Sequence, residues 1–116
     1  MLKNSFYTIK QIVSEGNSHN VLVAINPQHS IFEGHFPEQP VVPGVCTLQI
    51  IKECACKVMG KELRYSTILS CKFSSMIIPS NNTIEISMVI KDSAIQASVL
   101  QDGNSMLKLK ANFVEV

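Results

Sequence analysis

No stretch of this chain holds the roughly 20 consecutive apolar residues that cross a bilayer. Its opening, MLKNSFYTIK, has neither an apolar core nor a small-residue cleavage site. A membrane span and a secretion signal are therefore not expected, and the expected address is the cytoplasm. Charge of one sign is also lacking: ten Lys and Arg face nine Asp and Glu, leaving a formal +1. That balance sets up no field to draw nucleic acid or an acidic lipid surface, so neither is expected as a partner. Zinc-knuckle spacing is missing, because Cys54 and Cys56 stand one residue apart with no histidine near them, and no metal is expected. Without a secretion signal, Cys46, Cys54, Cys56 and Cys71 read as reduced thiols, most of them in the core. Internal repeats, low-complexity tracts and linkers are absent.

What is present is the composition of a folded domain, 46% hydrophobic and 16% charged over 116 residues. That length gives one domain, residues 1–116, with a single modest core. Residues 5–14 and 18–26 are rich in β-branched side chains around Gly16-Asn17 and predict a hairpin. Prolines at 27, 37, 40 and 43 exclude both helix interior and paired strand, so residues 27–43 predict a long surface loop. Cys46 to Met59 holds neither proline nor glycine and places Leu48, Ile51, Ala55, Val58 and Met59 on one helical face, with Gly60 as the stop. Gln49, Lys52, Glu53 and Lys57 share the other side, interrupted by Ile50. Beyond it the period becomes two: Ile84, Ile86, Met88 and Ile90 form one set, Leu107, Leu109, Ala111 and Phe113 another. Turn residues at 80–82, 91–93 and 102–104 separate about four strands. The fold class expected is α+β, one long helix wrapped by an antiparallel sheet.

The proline loop carries the chemistry. His35 stands among Pro37, Pro40 and Pro43, and catalytic proton transfer needs a base held within about 3 Å of its target. Gly44 follows at the start of the helix, where backbone N–H groups lack intrahelical partners and the macrodipole is positive. A base beside such a terminus suits proton abstraction alpha to a thioester carbonyl, since the enolate charge develops on that oxygen. The plain alternative is a hydrogen-bonded turn histidine.

The stretch IFEGHFPEQPVVPGV closely resembles the G-H-F-P-x-x-P-V-x-P-G-[VC] signature of the 3-hydroxyacyl-[acyl carrier protein] dehydratases of bacterial fatty acid synthesis. The resemblance implies the hotdog fold and agrees with the element order over nearly the whole chain. It implies that His35 is the catalytic histidine and that the Gly44 N–H binds the thioester carbonyl. It also implies reversible loss of water from a 3-hydroxyacyl chain carried on the phosphopantetheine of an acyl carrier protein, with no cofactor of the enzyme's own. Val45, Phe36 and Pro43 are the accompanying substrate contacts.

The chain departs from that family at one position. Fourteen residues after the histidine, where members carry a glutamate or aspartate that assists departure of the hydroxyl, it has Gln49, and four residues later it has Glu53 where a glutamine is common. One helical turn, about 5.4 Å, separates the two positions. Glu53 either approaches the same cavity as a substitute acid, leaving Gln49 to hold the hydroxyl or water, or is a solvated residue beside Lys52 and Lys57. The family's dimer, in which one subunit's histidine faces the other's helix acid, makes a homodimer the expectation and adds a mixed dimer with a paralogue that supplies the carboxylate. Hotdog thioesterase activity and a catalytically degenerate acyl-binding subunit are the rival functions. His19 and His29 read as solvated turn histidines. Phe32, Phe36, Phe73, Met76 and Ile78 either wall an acyl tunnel or fill the core. Lys57, Lys61 and Arg64 form a small basic cluster, suited to an acidic carrier or simply solvated.

Overall fold

The computed structural model describes residues 6–29, 42–79 and 83–116. Its elements run β1 (Tyr7–Glu15), β2 (Ser18–Ile25), α1 (Gly44–Met59), β3 (Leu63–Phe73), β4 (Thr83–Lys91), β5 (Ala94–Gln101) and β6 (Asn104–Glu115). The strands form one six-stranded sheet in the order β1-β2-β4-β5-β6-β3, antiparallel throughout. Two-residue turns join β1 to β2, β4 to β5 and β5 to β6. Asp92 and Asp102 take left-handed φ values of 56° and 54°, which aspartate tolerates better than most residues and which fit tight hairpins.

Alternation in sequence becomes alternation in burial. Ile84, Ile86, Met88 and Ile90 of β4 and Leu107, Leu109, Ala111 and Phe113 of β6 all face inward. They meet Ile50, Ile51, Cys54 and Ala55 of α1 in a single cluster. Each such aliphatic side chain contributes about 1.5–3 kcal/mol through its removal from water. The four cysteines are free thiols, Cys46 and Cys54 buried and the other two half-buried.

The helix begins two residues before its expected start and buries a different stripe. Pro43 is its N-cap at φ −59°, ψ 144°, and its carbonyl accepts from the N–H groups of Cys46 (3.0 Å) and Thr47 (3.2 Å). Gly60, in the left-handed conformation at φ 66°, caps the other end through its N–H to the Cys56 carbonyl. The buried residues are Cys46, Thr47, Ile50, Ile51, Glu53, Cys54 and Ala55, so Ile50 belongs to the core rather than interrupting the polar side. Leu48, Val58 and Met59 are only half-buried. Because α1 links β2 near one edge of the sheet to β3 at the other, it crosses the sheet face and is enclosed over more than one stripe.

Two histidines also differ from expectation. His19 lies on the inward face of β2 with Val21 and Val23, is 8% exposed, and its Nδ1 stands 2.7 Å from Ser14 Oγ. His29 is half-buried with its ring edge-on to Phe6. Neither is a solvated turn residue. The basic cluster is loosened as well, for Lys61 faces Glu115 at 3.9 Å in an exposed pair of little energetic weight.

Candidate active site

The start of α1 opens on a cavity of about 520 Å³ walled by Val42, Pro43, Gly44, Thr47 and the chain from Phe73 to Ile77. The first turn of the helix has no acidic residue, and among the described residues no side chain caps it. Its leading N–H groups, Gly44's among them, therefore present uncompensated positive charge to the cavity. Phe73 lies across Gly44: a Cβ on residue 44 would stand 2.9 Å from the ring's Cζ, so glycine is what lets the ring and the helix backbone approach. Phe73 and Met76 are more than half exposed and wall the cavity, whereas Ile77 is buried. Ile78 is half-buried and lies outside the cavity wall.

That wall is fastened at three points. The Val42 N–H donates to the Ile77 carbonyl (2.8 Å) and the Ser74 N–H to the Met106 carbonyl (2.8 Å). The buried amide of Gln101 donates to the Ile78 carbonyl (2.9 Å) and accepts from the Ile78 N–H (3.2 Å). On the helix itself, Tyr65 donates to the Leu48 carbonyl at 2.8 Å and stacks on Phe113. Burial, reinforced by the nearby thiols, raises the Tyr65 pKa and keeps the phenol a donor. Burial likewise pushes up the thiols of Cys46 and Cys71, which are poor nucleophiles in consequence.

About two and a half turns into the helix lies a polar group inside the protein. Glu53 is 5% exposed. Its Oε1 accepts from the Tyr7 hydroxyl at 2.8 Å and its Oε2 from Gln49 Nε2 at 2.7 Å. The reading of Glu53 as a solvated surface residue is thereby overturned: the helix turns it into the core, where β1 supplies a donor. Burial first and then the bond to Glu53 raise the pKa of Tyr7 far above that of a free phenol.

Among the expected site residues, the structure gathers Pro43, Gly44 and the Gln49–Glu53 pair on the first three turns of one helix. Val45 is 76% exposed and is not among the residues that wall the cavity. His35, Phe36 and Phe32 lie outside the described residues. Sequence reasoning missed Tyr7, Thr47 and Gln101. The period-two pattern of β5 was a signal for burial of Gln101, but nothing local ties Tyr7 to a residue 46 positions away.

Comparison with known proteins supports this architecture. The family model described as ApeI-like, ApeI dehydratase, matches residues 11–107. The 3-hydroxyacyl-[acyl-carrier-protein] dehydratase FabZ of Listeria welshimeri is 26% identical over 88 residues, covering 68% of this chain. The match spans 61% of that relative's length. Among solved structures, the dehydratase heterocomplex ApeI:P from Xenorhabdus doucetiae superimposes with a TM-score of 0.79 at 19% identity, over 90% of this chain and 95% of that one. An uncharacterized protein from Erwinia carotovora subsp. atroseptica gives 0.72 at 19% identity over 94% of both chains. The solved structures establish the hotdog fold, and since the family model takes in most of the sequence, this chain belongs to the ApeI-like dehydratase family.

Proposed function

We propose that this chain removes water from a 3-hydroxyacyl thioester, delivered on the phosphopantetheine arm of an acyl carrier protein, to give the trans-2-enoyl thioester. The observation that carries the reading is the uncapped, acid-free helix start at Gly44 opening on the apolar cavity, in a chain of a dehydratase family. His35 of the GHFP motif takes the proton from C2. The Gly44 N–H stabilises the charge that develops on the thioester oxygen. The C3–O bond breaks and the hydroxyl, held by the Gln49 amide, takes up the proton that His35 removed from C2 and leaves as water, with Glu53 one turn behind. Pro43 at the helix start and Phe36 beside the histidine complete the substrate contacts.

The protein works as a dimer in this reading, with itself or with a paralogue. β3 is an edge strand of eleven residues that leaves Ile68, Leu69 and Phe73 exposed, and an unpaired apolar edge favours a partner strand. Gln49 favours the mixed pair, because a second chain then brings a carboxylic acid toward His35. The structure it resembles is itself a heterocomplex. Among the described residues no helix is long and apolar enough to cross a membrane.

The test is turnover of a short 3-hydroxyacyl thioester on carrier protein by the purified chain, followed by enoyl absorbance. The expected result is activity that falls by about 10² or more in His35→Ala. Free thiol released without enoyl product selects thioester hydrolysis instead, and activity only after addition of a second polypeptide selects the mixed dimer.

A further inference from the structure

The outer face of the sheet, turned away from α1, carries a groove of about 340 Å³ that crosses β3, β6, β5 and β4. The sheet register fixes its plan. Lys72 of β3 stands directly opposite Lys108 of β6, and Ser70 stands opposite Lys110. With strands about 5 Å apart and alternate residues about 7 Å apart, these four positions are the corners of one small rectangle. Three of the corners are lysines, which alternate along β6 with the inward Leu107 and Leu109. Like charges directly opposite one another weaken a ladder, and no carboxylate lines the groove to offset them. Among the described residues none of the three lysines is in an ion pair.

Past the rectangle the groove turns neutral. Ser98 lies beside Lys108, Ser87 beside Ser98, and Gln96 beside Lys110. These side chains, and that of Ser70, make no hydrogen bond among the described residues, which leaves their donors and acceptors to a bound molecule or to water. Glu85, two residues from Ser87 on the same face of β4, lines the adjoining depression with Asp102. A long polyanion crossing the sheet from the lysines meets those carboxylates, so the charge pattern suits an anion short enough to stop before them.

We propose that this groove binds a small phosphate monoester with a hydroxyl-bearing body, of the sugar phosphate class. The phosphate dianion sits among Lys72, Lys108 and Lys110 and accepts from the Ser70 hydroxyl. It offsets more of the crowded positive charge than one carboxylate does, and its several oxygens serve donors that come from separate corners. The hydroxyls of the body exchange hydrogen bonds with Ser98, Ser87 and Gln96. A volume of about 340 Å³ is at the lower end of small-molecule sites. Because the groove and the cavity at Gly44 lie on opposite faces of the sheet, this binding does not depend on the thioester chemistry.

The test is a titration of the whole chain with ribose 5-phosphate at constant ionic strength, followed by backbone ¹⁵N–¹H resonances. Saturable shifts are expected, largest at Lys72, Lys108 and Ser98. Inorganic phosphate is expected to bind about tenfold more weakly for want of the hydroxyl contacts, and ribose alone to show no saturation. Lys108→Gln, at the corner shared by both lysine neighbours, is expected to weaken ribose 5-phosphate about tenfold or more. Ser98→Ala is expected to weaken it about threefold and to leave inorganic phosphate unchanged. Both side chains stand on the outer face, and urea unfolding of each variant reports that it folds. Without ligand the Lys108→Gln midpoint is expected to rise, since the repulsion with Lys72 is gone. Shifts that sodium chloride alone reproduces, equal affinity for ribose 5-phosphate and inorganic phosphate, or an unaltered affinity in Lys108→Gln overturn the proposal. Saturation by polyglutamate but not by ribose 5-phosphate overturns it in favour of an acidic protein partner.

Discussion

β4 and β3 are both long strands rich in apolar residues, yet they finish folding in different conditions. β4 hides every second side chain, from Ile84 to Ile90, between its neighbours and the helix. β3 hides none completely: Leu63, Tyr65 and Cys71 are half-buried, and Ile68, Leu69 and Phe73 stay in solvent. β3 also slips register twice against β6, between Tyr65 and Thr67 and between Ile68 and Ser70. A central strand has its pattern resolved by its own chain. The edge beside the helix start retains apolar surface and irregular geometry, and that is the side from which the cavity is built.

The sharpest break of this comparison is a pair of truncations. Ile86→Ala is expected to cost about 2–5 kcal/mol and Ile68→Ala, in dilute solution, within about 0.5, read from urea midpoints. Equal losses would show that β3 is as internal as β4. The exchange Gln49→Glu with Glu53→Gln extends the contrast to the helix face that opens outward. It places a protonatable group in front and an amide behind, and turnover by the chain alone is expected to rise by about 10². An unchanged rate would remove position 49 from proton delivery.

Smaller effects sharpen the comparison. Leu69→Asp puts a charge on the exposed edge and is expected to weaken self-association about tenfold or more in sedimentation, with urea unfolding of the monomer little altered. The smallest is alkaline. Tyr7, Tyr65, Cys46 and Cys71 all titrate higher in the folded chain than free. The unfolded state therefore releases their protons first, and stability that is complete below the ordinary thiol and phenol range falls as pH rises through and above it. Urea midpoints at pH 8 and 10.5 are expected to differ, and by less in Tyr7→Phe.

How far the sequence discloses this molecule follows the same division. The strands from β4 to β6 were legible because each side chain's fate is decided by its immediate neighbours in one sheet. The β1–β2 hairpin was legible for the same reason, while the GHFP motif lies outside the described residues. His19 was misread although it falls in step with Val21 and Val23, a parity that marks it as inward. Glu53 was ambiguous because charge argues for solvent while its partners include Tyr7, from a distant strand, and Gln49. Ile50 looked like an intruder on a polar face only because a helix crossing a whole sheet is buried more widely than an amphipathic surface helix. The early helix start escaped notice since a proline belongs as naturally to a loop as to a cap.

Gln101 closes β5 with a side chain that imitates one rung of an antiparallel ladder, giving and taking a hydrogen bond with Ile78. The segment it holds is thus bolted to the sheet as a removable panel. Residues 74–77 belong neither to the pairing of β3 with β6 nor to that of β4 with β5. The cavity wall is therefore held beside the ladders of the sheet rather than within them.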